Sequence, residues 1–119
     1  MKIKYILIVL GEPYSTFSEI IGKYFHRNTL KKKKIIIVGN IRLISSQLNK
    51  LNYKIKFNKI DNFLDAKDNV LNIINIDFKF KKIFSKVTNN SKDYIAKSFE
   101  KSLDIIKKNK DNSIFINGP

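Results

Sequence analysis

Few residues in this sequence are placed to do chemistry, and the best placed is Glu12. It sits in Gly11-Glu12-Pro13, after the apolar run ILIVL and before the polar stretch YSTFSE. A strand that breaks at glycine and leads into a helix start is where α/β proteins hold phosphates or cofactors. The first-turn N–H groups there are unpaired and the helix dipole favours an anion. A carboxylate at that point can act on a ligand, or it can accept backbone N–H bonds inside its own turn. Pro13 fixes φ, so the chain must turn. Thr16-Phe17-Ser18-Glu19 has capping-box spacing, in which Thr16 caps a helix and Glu19 reaches back. Such a box accounts for the Ser/Thr cluster without a ligand, while N–H groups at residues 16–18 would still point toward the strand ends.

Gly39-Asn40-Ile41-Arg42 is the second candidate. It follows IIIV and could meet an anion at a helix start. Gly39 more often just makes the tight strand-to-helix turn, and Asn40 is a good N-cap. Neither a Walker pattern nor Gly-x-Gly-x-x-Gly occurs. The absence of cysteine excludes disulfides, thiolate catalysis and cysteine zinc sites. The single histidine, His26, falls near the end of a helix, where an imidazolium suits the dipole or solvent. With no Gly-x-Ser-x-Gly elbow, it argues against a triad. Asp61, Asp65 and Asp68 lie close together but lack the spacing and central glycine of a calcium loop, so a solvated segment is expected. No catalytic residue and no metal ligand is assigned.

Short apolar runs alternating with amphipathic stretches must position these residues. Residues 3–10 read as a strand apolar on both faces, as in a covered parallel sheet. Residues 16–26 read as a helix, 31–34 as a charged connector and 35–38 as a second buried strand. Residues 41–51 read as a helix with Ile41, Ile44, Leu48 and Leu51 on one face. Residues 53–57 alternate and suggest a third strand; 58–69 read as irregular, and 70–76 as a fourth strand. Residues 79–90 fit no single pattern. Residues 92–108 form the clearest helix, with Ile95, Phe99, Leu103 and Ile106 on one face and Ser91 as cap. Residues 113–117 close the pattern as a strand. The expected fold is α/β, three-layer, with a mostly parallel sheet.

The chain has 119 residues, one domain's worth, and 43% hydrophobic content supports a core. Nothing approaches the roughly 20 apolar residues of a membrane span. The N-terminal MKIKYILIVL has too short an apolar run for a secretory signal and reads as a buried strand, consistent with a cytoplasmic protein. The net charge is +14. Of 24 basic residues, only Arg27 and Arg42 are arginine, and Ile and Asn are also plentiful. That composition suggests a charge spread over a solvated surface. Nucleic acid is accordingly disfavoured as a partner, though a small basic nucleic-acid-binding protein stays as an alternative. A stand-alone α/β ligand-binding domain is the other.

Gly11-Glu12-Pro13, five variable residues, then Glu19-Ile20 resembles the N-terminal signature of the 4-hydroxythreonine-4-phosphate dehydrogenase family, Gly-Glu-Pro-Ala-Gly-Ile-Gly-Pro-Glu-Ile. Two more segments agree in order. IIIVGNIRLISSQLNKLNYKI is similar to the family's second strand, turn and helix. NNSKDYIAKSFEKSLDIIKKNKDNSIFINGP is similar to its Ala/Ser-Gly-x-Tyr helix, the following strand and a Thr-Gly-Pro turn. Tyr14-Ser15-Thr16-Phe17-Ser18 stands where the family has Ala-Gly-Ile-Gly-Pro, so two glycines that permit close backbone approach are replaced. Asn117 stands for the Thr of Thr-Gly-Pro.

The resemblance implies the N-terminal portion of an isocitrate/isopropylmalate-dehydrogenase-like fold. It implies an oxidoreductase of pyridoxine and pyridoxal phosphate biosynthesis, homodimeric when complete. The enzyme oxidises a phosphorylated amino-acid substrate with NAD, aided by a divalent metal, before decarboxylation. The family's metal-binding histidines lie beyond Thr-Gly-Pro. Residues 1–119 therefore read as an incomplete segment, inactive alone and without tight NAD or metal binding. By the same resemblance, Gly11, Glu12, Pro13, Asn117 and Gly118 are the candidate cofactor- or substrate-binding residues.

Overall fold

The computed structural model describes residues 5–27, 34–68, 70–85, 89–109 and 113–117, with the backbone alone at 25–27, 63, 109 and 117. Five strands are present: β1 (Tyr5–Val9), β2 (Lys34–Gly39), β3 (Phe57–Lys59), β4 (Leu71–Asn75) and β5 (Ser113–Asn117). Three helices connect them: α1 (Phe17–Arg27), α2 (Ile41–Lys50) and α3 (Asn89–Asn109). The strands form one sheet in the order β3-β4-β2-β1-β5, and every pairing is parallel.

Alternation along each strand sends side chains to two cores. Leu7, Ile36, Val38 and Ile74 face Tyr94 and Ile105 of α3. Ile35, Ile37, Leu71 and Ile73 face Ile21 of α1 and Ile44 and Leu48 of α2. The central strands are covered on both sides, which is why IIIV is apolar without a break. The three-layer parallel α/β fold expected from the sequence is the one formed.

Two expectations need correction. The third strand is Phe57–Lys59 rather than 53–57, and a short 3-10 turn, Phe63–Asp65, interrupts the stretch read as irregular. The alternation of Tyr53, Ile55 and Phe57 is real, since all three pack on the α1/α2 core. Pairing starts only where Leu71 offers a partner: Phe57 is in register with Leu71, and Leu71 N–H donates to the Lys56 carbonyl.

The second correction concerns α3. It begins at Asn89, so Ser91 lies inside it and is buried rather than capping. Its buried face carries Ser91, Tyr94, Ser98, Ser102 and Ile105, whereas Leu103 is exposed and Ile95, Phe99 and Ile106 are half-buried. Small serines let a long helix lie close to the sheet. The Ser98 and Ser102 hydroxyls stay satisfied within the helix, Ser98 donating to the Tyr94 carbonyl at 2.8 Å and Ser102 to the Ser98 carbonyl at 2.6 Å.

Boundary differences elsewhere are small. Lys34, read as connector, opens β2, and Leu51 is the C-cap of α2. Residues 76–85 hold neither helix nor strand.

Candidate functional site

The carboxyl ends of β1, β2, β4 and β5 share one edge of the sheet, where α/β folds bind ligands. From β2 the chain leaves to α2 on one face. From the adjacent β4 it leaves toward α3 on the other. Neighbouring strands that part in this way open a crevice suited to a ligand. Here the protein's own groups close it.

Asn40 caps α2 as its sequence context suggests, its side-chain oxygen accepting from Leu43 N–H at 3.0 Å. Its amide also donates to the Ile76 carbonyl at 2.9 Å. Asn75 accepts from Ile41 N–H at 2.9 Å, and Ile76 N–H donates to the Gly39 carbonyl at 2.8 Å. The Tyr94 phenol oxygen accepts from Asn40 N–H at 2.8 Å. With the N–H groups of residues 40, 41 and 43 so occupied, the start of α2 is not an anion cradle. Of the two readings of Gly39-Asn40-Ile41-Arg42, the structure has the turn with an Asn40 cap, cross-tied to the end of β4 and to α3.

Gly39 has a packing role. A Cβ there would lie 2.9 Å from the Tyr94 hydroxyl, 2.9 Å from Ile44 Cδ1 and 3.1 Å from Leu10 Cδ1. Tyr94 is 2% exposed. Burial pushes its pKa up to about 12, against the opposing effect of the hydrogen bond from Asn40.

The β1 turn is organised internally. Gly11 adopts φ 72°, a left-handed conformation that favours glycine. The Glu12 carboxylate accepts from Tyr14 N–H at 2.9 Å, and its carbonyl accepts from Ser15 N–H at 3.3 Å. Burial, with Glu12 nearby, raises the Tyr14 phenol above its usual range. The expected capping box does not form. Ser15 supplies the hydroxyl, accepting from Phe17 N–H at 3.2 Å, while Glu19 pairs with Lys23 at 3.3 Å. Ser18 is buried, and its hydroxyl has no hydrogen-bond partner.

Gln47, on the buried side of α2, ties this turn to the segment after β4. Its amide donates to the Pro13 carbonyl at 2.8 Å and to the Ile83 carbonyl at 2.7 Å. Between the two segments lies a cleft of about 550 Å³, lined by Tyr14, Lys79, Phe80, Lys81, Lys82, Ser85 and Asn90. Its aromatic wall is continuous with the core. Phe78 lies 6.0 Å from Tyr14, 6.0 Å from Phe80 and 4.7 Å from Tyr94 between ring centres. The Arg42 guanidinium sits 5.5 Å from the centre of the Phe80 ring.

Gly11, Glu12 and Pro13 therefore lie at this edge. Asn117 joins them through its register with Val9, though its side chain and the whole of Gly118 lie outside the described residues. The side chain of His26 is outside them too. Asp61, Asp65 and Asp68 are exposed. Among the described residues no three His, Asp or Glu side chains converge on a metal position. Nor is any described helix long and apolar enough to cross a membrane. Gln47, Asn75 and Phe80 carry no local sequence signal; Tyr94 stood out only as the tyrosine of a motif.

The backbone resembles solved structures closely. A protein assigned as a 4-hydroxythreonine-4-phosphate dehydrogenase from Salmonella typhimurium superposes with a TM-score of 0.83 at 16% identity, over 98% of this chain and 37% of its own. This chain carries part of that dehydrogenase fold. A 4-hydroxythreonine-4-phosphate dehydrogenase from Burkholderia phymatum gives a TM-score of 0.76 at 13% identity, over 92% of this chain and 34% of its own. The chain thus spans about a third of these structures. No family model and no curated protein matches the sequence.

Proposed function

We propose that this chain is the N-terminal α/β segment of a 4-hydroxythreonine-4-phosphate dehydrogenase. It supplies sheet and scaffold to an NAD- and metal-dependent enzyme of pyridoxal phosphate biosynthesis. The observation that carries this reading is the fold shared over 98% of the chain with one such protein. The Gly11-Glu12-Pro13 and Glu19 signature, read from the sequence alone, points the same way. Gly11, Glu12, Pro13, Asn117 and Gly118 are the residues proposed to face ligand, with Glu12 ordering its own turn. The metal-binding histidines come from polypeptide beyond these residues, and the complete enzyme is a cytoplasmic homodimer. An edge strand with Ile114 and Ile116 41% and 42% exposed fits a sheet that further polypeptide covers.

The test is the nucleotide sequence downstream of the Pro119 codon, together with an assay. The reading expects an open frame with histidine-bearing segments. It expects no NAD reduction by the 119-residue chain given 4-phosphohydroxy-threonine and a divalent metal. A continuing frame devoid of histidines removes the reading, and NAD reduction by the short chain removes the scaffold role.

A further inference from the structure

We propose that the cleft between the β1 turn and residues 79–85 docks single-stranded nucleic acid. This goes beyond the dehydrogenase reading and does not rest on it. Composition alone assigns the positive charge to no place; the fold gathers part of it around rings. Lys79, Lys81 and Lys82 line the cleft together with Tyr14 and Phe80, and no carboxylate is among the lining residues. Glu12 accepts from Tyr14 N–H within its own turn, and Asp77 and Asp93 line the adjoining groove beside α3, which shares Lys79 and Asn90 with the cleft.

Phe80 forms part of the cleft wall, its ring 21° from the plane of Phe78 and 5.5 Å from the Arg42 guanidinium. Proteins that bind single strands combine aromatic faces for bases with cations that follow the backbone, and they need no hydrogen-bond code. Three lysines within four residues, in a stretch that is neither helix nor strand, suit a line of phosphates better than one convergent anion. The start of α2, closed by its own side chains, offers no competing cradle. A net charge of +14 adds attraction at long range.

The test is a fluorescence-anisotropy titration of a labelled ten-residue oligothymidylate by the 119-residue chain over a salt series. Single strands lose affinity with a slope of about 0.7 per neutralised phosphate, so the triple variant Lys79→Gln, Lys81→Gln, Lys82→Gln should flatten the slope by about 2. A matched triple variant at the opposite sheet edge, Lys50→Gln, Lys54→Gln, Lys56→Gln, should leave it unchanged. In Phe80→Trp, the only tryptophan of the chain should be quenched by bound oligonucleotide. Circular dichroism verifies that each variant is folded. Absence of binding at low salt, equal flattening by both triple variants, unquenched tryptophan in the bound state, or tighter binding to a duplex of equal length would each overturn the proposal.

Discussion

The phenol oxygen of Tyr94 and the backbone N–H of Asn40 are 2.8 Å apart and 54 residues apart in sequence, and both are buried. This bond fastens α3, on one face of the sheet, to the start of α2 on the other. Tyr94→Phe keeps the ring and removes the acceptor, leaving a buried N–H without a partner. The expected loss is about 1–3 kcal/mol of unfolding free energy by urea titration.

Gly39→Ala should lose a similar amount, about 1–3 kcal/mol, because its methyl would meet the Tyr94 hydroxyl and Ile44. The two sites share that hydroxyl. In a Tyr94→Phe background the Gly39→Ala loss should therefore shrink. A double-mutant cycle reads the coupling, and strict additivity would refute the close approach.

Tyr94 also sets an alkaline limit. A tyrosine is neutral when protonated, and burial raises its folded pKa from 10.0 to about 12. Above the unfolded value the unfolded chain gives up that proton first. The stabilisation is thus whole below pH 10 and is lost as pH rises toward 12. Two units correspond to about 3 kcal/mol. Unfolding followed by circular dichroism from pH 9 to 12 should show this decline in the native chain and a smaller one in Tyr94→Phe.

Gln47 spends both amide hydrogens on carbonyls of separate loops. Gln47→Leu should destabilise by about 1–3 kcal/mol. It should also speed hydrogen exchange in residues 79–85 while β2 keeps its protection. Gln47→Glu should be worse, because a carboxylate would face two carbonyl oxygens. Unchanged exchange in 79–85 would show that the tie holds nothing in place.

Gly11→Ala tests the β1 turn. At φ 72° an added Cβ is strained, and a loss of about 1–2 kcal/mol is expected in thermal or urea unfolding.

What the sequence made legible was local or periodic. IIIV announced a covered strand, and Asn40 announced a helix start, because a cap needs only residues three positions apart. Hydrophobic spacing misplaced the buried face of α3. Ser98 and Ser102 count as polar in a pattern, yet they pack well when small size and an internal hydrogen bond coincide. The candidate turn was located by Gly11-Glu12-Pro13. Its closure by Gln47, and the sealing of the neighbouring crevice by Asn75 and Tyr94, join residues 34 to 54 positions apart. Such bonds leave no trace in any window of sequence. The cleft is likewise hidden, since Tyr14 and Lys79–Lys82 meet only after β1 and β4 lie in one sheet.

The placement of β5 governs how this chain can be made. β1 leaves the ribosome first and gains β2 early, but its other edge pairs only with Ser113–Asn117, more than a hundred residues later. Until then a nascent chain carries β1, an apolar strand that lies inside the finished sheet, with one edge open. Such unpaired edges invite aggregation. A partner that covers that edge until β5 emerges would guard this protein at the stage when its finished core does not yet exist.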